Sequence, residues 1–182
     1  CREQLNHAGA LVLRQFLQTA ALEAIVQEGN AQRHLAYHTL SKHNVYLMKP
    51  DAAFSADHPR NRDVISTKGC ITDDAIATDS PLRQLYTDEL FKQFLCDVLG
   101  EDALYPYADP LSSINLHYAP HGQELGWHFD NSSFAITLLV QKPQAGGVFQ
   151  YVKDLRDADA GEMNYAGVAA VLDERLPVEA DR

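Results

Sequence analysis

The order of hydrophobic patterns along the chain most constrains its fold, because helical periodicity comes first and strand-like segments come later. The strongest helical signal is SPLRQLYTDELFKQFLCDVLG, residues 80–100. Ser80 followed by Pro81 predicts the start of one short helix, and Thr87 precedes the acidic start of a second. The apolar stripe of this second helix ends at Gly100. We therefore expect two consecutive helices that pack against a core.

The chain before residue 80 is less regular. Residues 19–36 carry apolar side chains at helical spacing and predict a helix that is capped by Thr19 and interrupted near Gly29. The short run at residues 9–17 favours a strand. Residues 39–78 contain scattered turn-forming residues, which indicates a long loop with one short embedded strand.

After residue 105 the pattern changes to strands. SSINLHY, FAITLLVQ and GGVFQYV are separated by turn-forming segments, which predicts short antiparallel strands. Beyond residue 154 the chain is acidic and irregular apart from GVAAVL. Helices followed by short strands predict an α+β fold, in which a β-sandwich or open barrel carries the functional site.

Composition limits the classes of partner. With 182 residues the chain fits one domain, and a formal charge of -10 repels nucleic acid instead of recruiting it. No apolar run reaches the roughly 18 to 20 residues that cross a bilayer. The three cysteines lack CxxC spacing, so neither a disulfide framework nor a thiolate zinc site is indicated. These features predict a cytoplasmic protein without nucleic-acid or membrane partners.

The segment GWHFD contains the chemistry of greatest interest. His128 and Asp130 lie two residues apart, and in an extended backbone their side chains project to the same face. An imidazole nitrogen and a carboxylate oxygen together suit Fe(II), Mn(II) or Zn(II). A metal site needs at least a third ligand, and the same dipeptide spacing also occurs in ordinary surface hydrogen-bonded pairs.

The surrounding residues resemble a known signature. YAPHGQELGWHFD, which runs from Tyr118 through Gly122 to His128 and Asp130, is similar to the motif of Fe(II)/2-oxoglutarate-dependent oxygenases. The longer run from INLHY to VKDLRD resembles the branch that includes free-amino-acid hydroxylases and halogenases. This resemblance covers approximately residues 80–172.

The resemblance implies a double-stranded β-helix, a jelly-roll-like barrel, in one oxygenase-like domain over residues 1–182. Residues 1–105 would form helical support, and barrel strands would start at about residue 112. His128 and Asp130 would be two of three ligands to Fe(II), with 2-oxoglutarate as cosubstrate and dioxygen as oxidant. In the halogenases a small residue occupies the position of Asp130, so its carboxylate implies hydroxylation of a small molecule, such as an amino acid or its derivative.

Three further residues are candidate contacts. By its place in the pattern, Tyr118 is either a hydrogen-bond donor to 2-oxoglutarate or a core tyrosine. Asn115 resembles an asparagine that holds the cosubstrate in demethylases, but strand alternation places it opposite Tyr118 unless a bulge intervenes. Arg62, in the basic segment HPRNRD, is a candidate clamp for a substrate carboxylate.

The family pattern also includes a distal histidine and an arginine that grips 2-oxoglutarate. No histidine follows His128 in the sequence, which predicts either a chain truncated at its C-terminal end or a non-catalytic binding or scaffold protein. A cupin-like zinc enzyme that uses His117 or His121 is a further alternative. Three other histidines are expected to lie at the surface: His34, His38 and His43.

Overall fold

The computed structural model describes residues 1–109 and 111–181, which divide into two compact units. The first unit comprises Cys1–His38 and Gly69–Tyr118, and the second comprises Thr39–Lys68 and the chain from Ala119 onward. The helices are α1 (Arg2–Ala8), α2 (Thr19–Gln32), α3 (Pro81–Thr87), α4 (Glu89–Leu99) and α5 (Tyr165–Leu172). The strands are β1 (Tyr37–Asn44), β2 (Asp63–Thr72), β3 (Asn115–Tyr118), β4 (Phe149–Tyr151) and β5 (Glu179–Asp181).

The two consecutive helices predicted from the sequence are confirmed in the first unit. The Ser80 side chain caps α3 by accepting from the Leu82 amide, and the Asp88 side chain caps α4 by accepting from the Phe91 amide. Gly100 ends α4 in the left-handed conformation, which glycine adopts without a steric penalty. Sequence-local capping therefore sets these boundaries.

Helix α2 is confirmed, but two details of the prediction were wrong. Its N-cap is Gln18, one residue before the expected threonine, and the helix continues through Gly29 without a break. A side chain at Gly29 would meet Leu116, since an added Cβ would lie 2.9 Å from its Cδ2 atom. The glycine therefore serves close packing between α2 and β3 and does not interrupt the helix.

Strands β1, β2 and β3 form one sheet in that order. β2 pairs antiparallel with β3 in a continuous register from Gly69 opposite Tyr118 to Thr72 opposite Asn115. Because no bulge interrupts this pairing, Asn115 and Tyr118 project from opposite faces, as the alternation argument predicted.

The core of the second unit is small and aromatic. Val45, Tyr46 and Val168 are buried there, and α5 supplies the last of them. The Tyr46 hydroxyl donates a 2.5 Å hydrogen bond to the carbonyl of Met163, and burial raises the pKa of Tyr46 to about 12. This phenol therefore remains a hydrogen-bond donor at neutral pH.

Three strand predictions differ from the structure. Residues 9–17 form no helix or strand, and neither do residues 134–141 of FAITLLVQ. Residues 39–78 were expected to be loop with one short strand at Asn44–Met48, but that strand is absent and the segment contains most of β1 and all of β2. β1 is mostly exposed, so its sequence lacks the apolar alternation by which a strand is recognised.

The SSINLHY prediction is confirmed only in its last four residues, as β3, and the GGVFQYV prediction only over residues 149–151, as the short β4. β4 pairs antiparallel with β5 in a two-stranded ladder. The observed class is α+β, and the double-stranded β-helix stays a prediction. Within the described residues, no helix combines the length and apolar composition that a bilayer span requires.

Candidate functional site

The segment that carries the His-x-Asp pair lies in the second unit and has no regular secondary structure. Its backbone is held at three points. The Thr67 amide donates to the Glu124 carbonyl at 2.8 Å, and the Phe129 amide donates to the Val45 carbonyl at 2.9 Å. Between these two, the Gly126 amide donates to the Ser66 hydroxyl at 2.9 Å. Hydrogen bonds to β2 and to the turn after β1 thus position residues 124–130.

His128 and Asp130 converge, as their spacing predicted. The Nε2 atom of His128 lies 3.2 Å from Oδ1 of Asp130, and the two side chains are 32% and 53% exposed. The other ring nitrogen, Nδ1, lies 2.8 Å from the carbonyl oxygen of Gly126. A carbonyl can only accept, so Nδ1 carries the proton, and in the neutral imidazole the Nε2 lone pair points toward the carboxylate.

This geometry fits a shared cation. Two lone pairs at 3.2 Å repel each other unless a proton on Nε2 or a metal ion lies between them. Ligands about 2.1 Å from one ion are separated by about 3.0 to 3.4 Å in octahedral or tetrahedral arrangements. A metal-bound histidine also donates its second ring N–H to a backbone carbonyl or carboxylate, as His128 does to Gly126.

The third ligand is not among the neighbours of this pair. Over residues 1–109 and 111–181, no group of three His, Cys, Asp or Glu side chains is arranged to hold a metal ion. The distal histidine that the resemblance implies therefore stays a prediction, and the described residues supply two of the required donors.

His43 is a residue of this site that the sequence analysis missed. It was expected at the surface with His34 and His38, but it is partly buried on β1, and its ring lies edge-on to that of His128 with centroids 6.1 Å apart. The signal was the apolar pair that follows it: Val45 and Tyr46 are buried, so the chain turns into the core directly after His43.

An aromatic and cationic cluster surrounds Phe129, the residue between His128 and Asp130 in the sequence. The guanidinium carbon of Arg156 lies 4.0 Å from the ring centroid of Phe129 and 6.0 Å from that of Tyr46. A cation over an aromatic face is attracted by the ring quadrupole. The contact packs Arg156 against the aromatic side chains that cover the core of the second unit.

Tyr118 and Asn115 belong to the first unit. The Tyr118 hydroxyl donates to the Gly29 carbonyl at 2.7 Å, and burial raises the pKa of this phenol. The Asn115 amide nitrogen donates to the Ser112 carbonyl at 3.2 Å. In this structure both side chains stabilise the first unit, and their contacts with 2-oxoglutarate stay predictions.

Arg62 makes an intramolecular ion pair. Its Nη1 atom lies 2.5 Å from Oδ1 of Asp173, and its Nη2 atom donates to the Leu172 carbonyl at 3.2 Å. Hydrogen bonds from Arg62 and Arg175 lower the pKa of Asp173. Arg62 thus ties the end of α5 to the segment before β2, and the substrate contact proposed for it stays a prediction.

One comparison with known proteins identifies a family. The family model described as Halogenase D (HalD) matches residues 1–175, which is nearly the whole chain. No curated protein and no solved structure matches this sequence.

Proposed function

The chain belongs to the Halogenase D family, and from this premise we propose that it is an Fe(II)- and 2-oxoglutarate-dependent oxygenase that hydroxylates a small molecule. The observation that carries the proposal is the 3.2 Å approach of His128 Nε2 to Asp130 Oδ1, with the His128 Nδ1 proton committed to a backbone carbonyl. The family match supports an enzyme, whereas the proposed iron- and 2-oxoglutarate-dependent hydroxylation rests on His128 and Asp130.

Asp130 favours hydroxylation over halogenation. Its carboxylate occupies the position at which halogenases of the resembling branch have a small residue and admit chloride. Bound ferrous iron, with 2-oxoglutarate and dioxygen, would supply the oxidising chemistry. The chain would supply His128 Nε2 and Asp130 Oδ1 as donors, and neutral imidazole with hard carboxylate is a ligand set that suits iron.

Two arginines of the second unit are candidate contacts for a small acidic substrate, such as an amino acid or its derivative. Arg156 is partly buried against Phe129, so its guanidinium is partly dehydrated and attracts a carboxylate more strongly than an exposed side chain would. Arg62 is a second candidate, provided that a substrate carboxylate replaces Asp173 as its partner. Because Asn115 and Tyr118 project from opposite faces of β3, only Tyr118 is kept as a proposed contact for 2-oxoglutarate.

The test is turnover by the full-length protein. With Fe(II), 2-oxoglutarate and dioxygen, the wild type should release succinate, and Asp130→Ala should lower the rate at least about a hundredfold, because loss of a ligand exceeds the usual effect of an outer contact. Asp159→Ala removes an exposed carboxylate from the same unit and should retain wild-type turnover.

The outcomes separate the alternatives. Undiminished turnover in Asp130→Ala would show that Asp130 is not a ligand. A wild-type protein that binds no Fe(II) and consumes no 2-oxoglutarate would instead be a binding or scaffold protein. Uptake of zinc that depends on His117 or His121, with no use of 2-oxoglutarate, would indicate the cupin-like enzyme.

A further inference from the structure

Gly126 packs against β2, and its carbonyl orients the ring of His128. An added Cβ at this position would lie 2.7 Å from the backbone oxygen of Ile65, so only glycine fits against β2. The same residue carries the carbonyl that accepts the Nδ1 proton of His128. Glycine restricts its own backbone less than any other residue, so this carbonyl requires an external restraint to keep its direction.

Ser66 supplies that restraint. It is buried, with 8% of its surface exposed, and its hydroxyl oxygen accepts the Gly126 amide at 2.9 Å. The adjoining Thr67 pairs with Glu124 through both backbone and side chain. Gly126 is therefore anchored on its N-terminal side by a group that belongs to β2.

His43 sets the direction of the serine proton. Its Nδ1 atom faces the Asn44 carbonyl at 3.1 Å and must carry the proton, which leaves Nε2 as an acceptor for the Ser66 hydroxyl at 2.7 Å. The Ser66 proton then points to His43, and the serine lone pair faces Gly126. With His43 as the neutral imidazole, the donors and acceptors along this path allow only this arrangement.

We infer that His43 and Ser66 are positioning residues that hold His128 in the Nδ1–H tautomer, with Nε2 available to a metal ion. The path runs from His43 Nε2, which accepts the Ser66 hydroxyl, to Ser66, which accepts the Gly126 amide, and then through the Gly126 carbonyl to His128 Nδ1. Neither His43 nor Ser66 is a ligand. The role in metal binding rests on the proposed function, whereas control of the tautomer does not.

The first measurement uses metal-free Asp130→Ala protein, in which no carboxylate competes for a proton on His128 Nε2, and each further variant is made in this background. Nitrogen-15 NMR of the histidine rings at about pH 8, above the ordinary histidine pKa, should show His128 almost entirely as the Nδ1–H tautomer. Ser66→Ala should at least halve that population, because the Gly126 carbonyl loses its fixed direction. His43→Phe keeps a ring beside His128 but removes the acceptor, and it should shift the population in the same sense. Ser66→Thr keeps a hydroxyl at this position and should leave the His128 tautomer population unchanged.

The second measurement is anaerobic Fe(II) binding by the full-length protein. Ser66→Ala and His43→Phe should weaken Fe(II) binding about tenfold to a hundredfold, the range typical of outer contacts to ligating histidines. Ser41→Ala, an exposed serine of β1, and His34→Phe, an exposed histidine just after α2, are the matched controls and should bind as the wild type does. Thermal unfolding of each variant checks that the fold is retained.

The two measurements distinguish the two proposals. If the wild type binds no Fe(II) but Ser66→Ala shifts the His128 tautomer, the proposed function is wrong and the positioning role stands. If Fe(II) binds to the wild type and neither the tautomer nor the affinity changes in Ser66→Ala and His43→Phe, the positioning role is overturned. Should Ser66→Ala not fold, His43→Phe and Ser66→Thr decide the question by the same spectra.

Discussion

The two units of the molecule obtain their structure in different ways. The first is built on capped helices and the β2–β3 ladder, so most of its backbone hydrogen bonds lie within regular elements. The second has no helix or strand between residues 123 and 148, and isolated hydrogen bonds, some of them from polar side chains, hold residues 124–130 and the turn after β1. The candidate site belongs to this irregular unit.

Asn44 and Asn61 show how a single side chain can hold irregular backbone in the second unit. The Asn44 side chain accepts the Tyr46 amide at 3.1 Å and donates to the Met48 carbonyl at 2.6 Å, which closes the turn after β1. The Asn61 side chain holds the following loop in a similar way, by accepting from the Asp51 amide and donating to the Asp51 carbonyl. Irregular segments can thus position a site rigidly, but each depends on a few replaceable hydrogen bonds.

The largest effect is expected in the core of the first unit. Ile25 is 1% exposed, and Ile25→Ala should lower the free energy of unfolding by about 4 kcal/mol through lost burial and the cavity left behind. Urea unfolding followed by far-UV circular dichroism measures this. Leu90→Ala, on the exposed face of α4, should change it by less than about 0.5 kcal/mol.

The same urea titration tests whether the two units also differ in stability. The single tryptophan, Trp127, lies in the second unit and reports on it by fluorescence. If the Trp127 signal and the helix signal shift together in Ile25→Ala, the units differ in architecture but not in independent stability. Separate midpoints would sharpen the distinction.

The second prediction concerns the irregular unit. The Asn61 amide nitrogen donates to the carbonyls of Asp51, Phe54 and Ser55 within 3.2 Å, and its oxygen accepts the Asp51 amide at 2.7 Å. Asn61→Ala should cost about 3 kcal/mol, because several backbone groups lose their partner at once. Trp127 fluorescence during urea unfolding measures the loss.

Asn131→Ala is the matched control for that variant. Asn131 is an exposed loop residue of the same unit, and its replacement should be nearly neutral. Equal effects of Asn61→Ala and Asn131→Ala would contradict the view that specific side-chain hydrogen bonds hold the second unit together. Faster proteolysis within residues 51–62 of Asn61→Ala would support it.

The smallest effect concerns an ion pair in the first unit. A hydrogen bond from the Ser113 hydroxyl, followed by the Arg83 guanidinium, lowers the pKa of Asp73 below its usual range. A lowered folded-state pKa stabilises the fold fully above the unfolded value of about 3.9, and this stabilisation is lost as the pH falls through the folded value.

Asp73→Asn should therefore cost about 2 kcal/mol near neutral pH and progressively less on acidification below about pH 4. Urea unfolding at several pH values measures the difference between variant and wild type. Asp79→Asn changes an exposed aspartate before α3 and should leave the pH dependence as it is. A constant difference for Asp73→Asn at every pH would refute the assignment.

The sequence by itself determined the elements whose signals are local. Ser80 and Asp88 cap helices through groups two or three residues away, and Gly100 ends α4 by its own backbone freedom. The convergence of His128 and Asp130 is equally local, since two residues of nearly extended chain suffice to bring the side chains together. Such features can be predicted because they depend only on residues that are close together in the sequence.

Only the tertiary structure decided the features that depend on distant partners. Strand β1 exists because β2 pairs with it, despite an exposed and mostly polar sequence. His43 meets His128 across 85 positions of the sequence, and Ser66 meets Gly126 across 60. Local periodicity carries no information about such contacts, because backbone pairing and side-chain hydrogen bonds form wherever the folded chain brings complementary groups together.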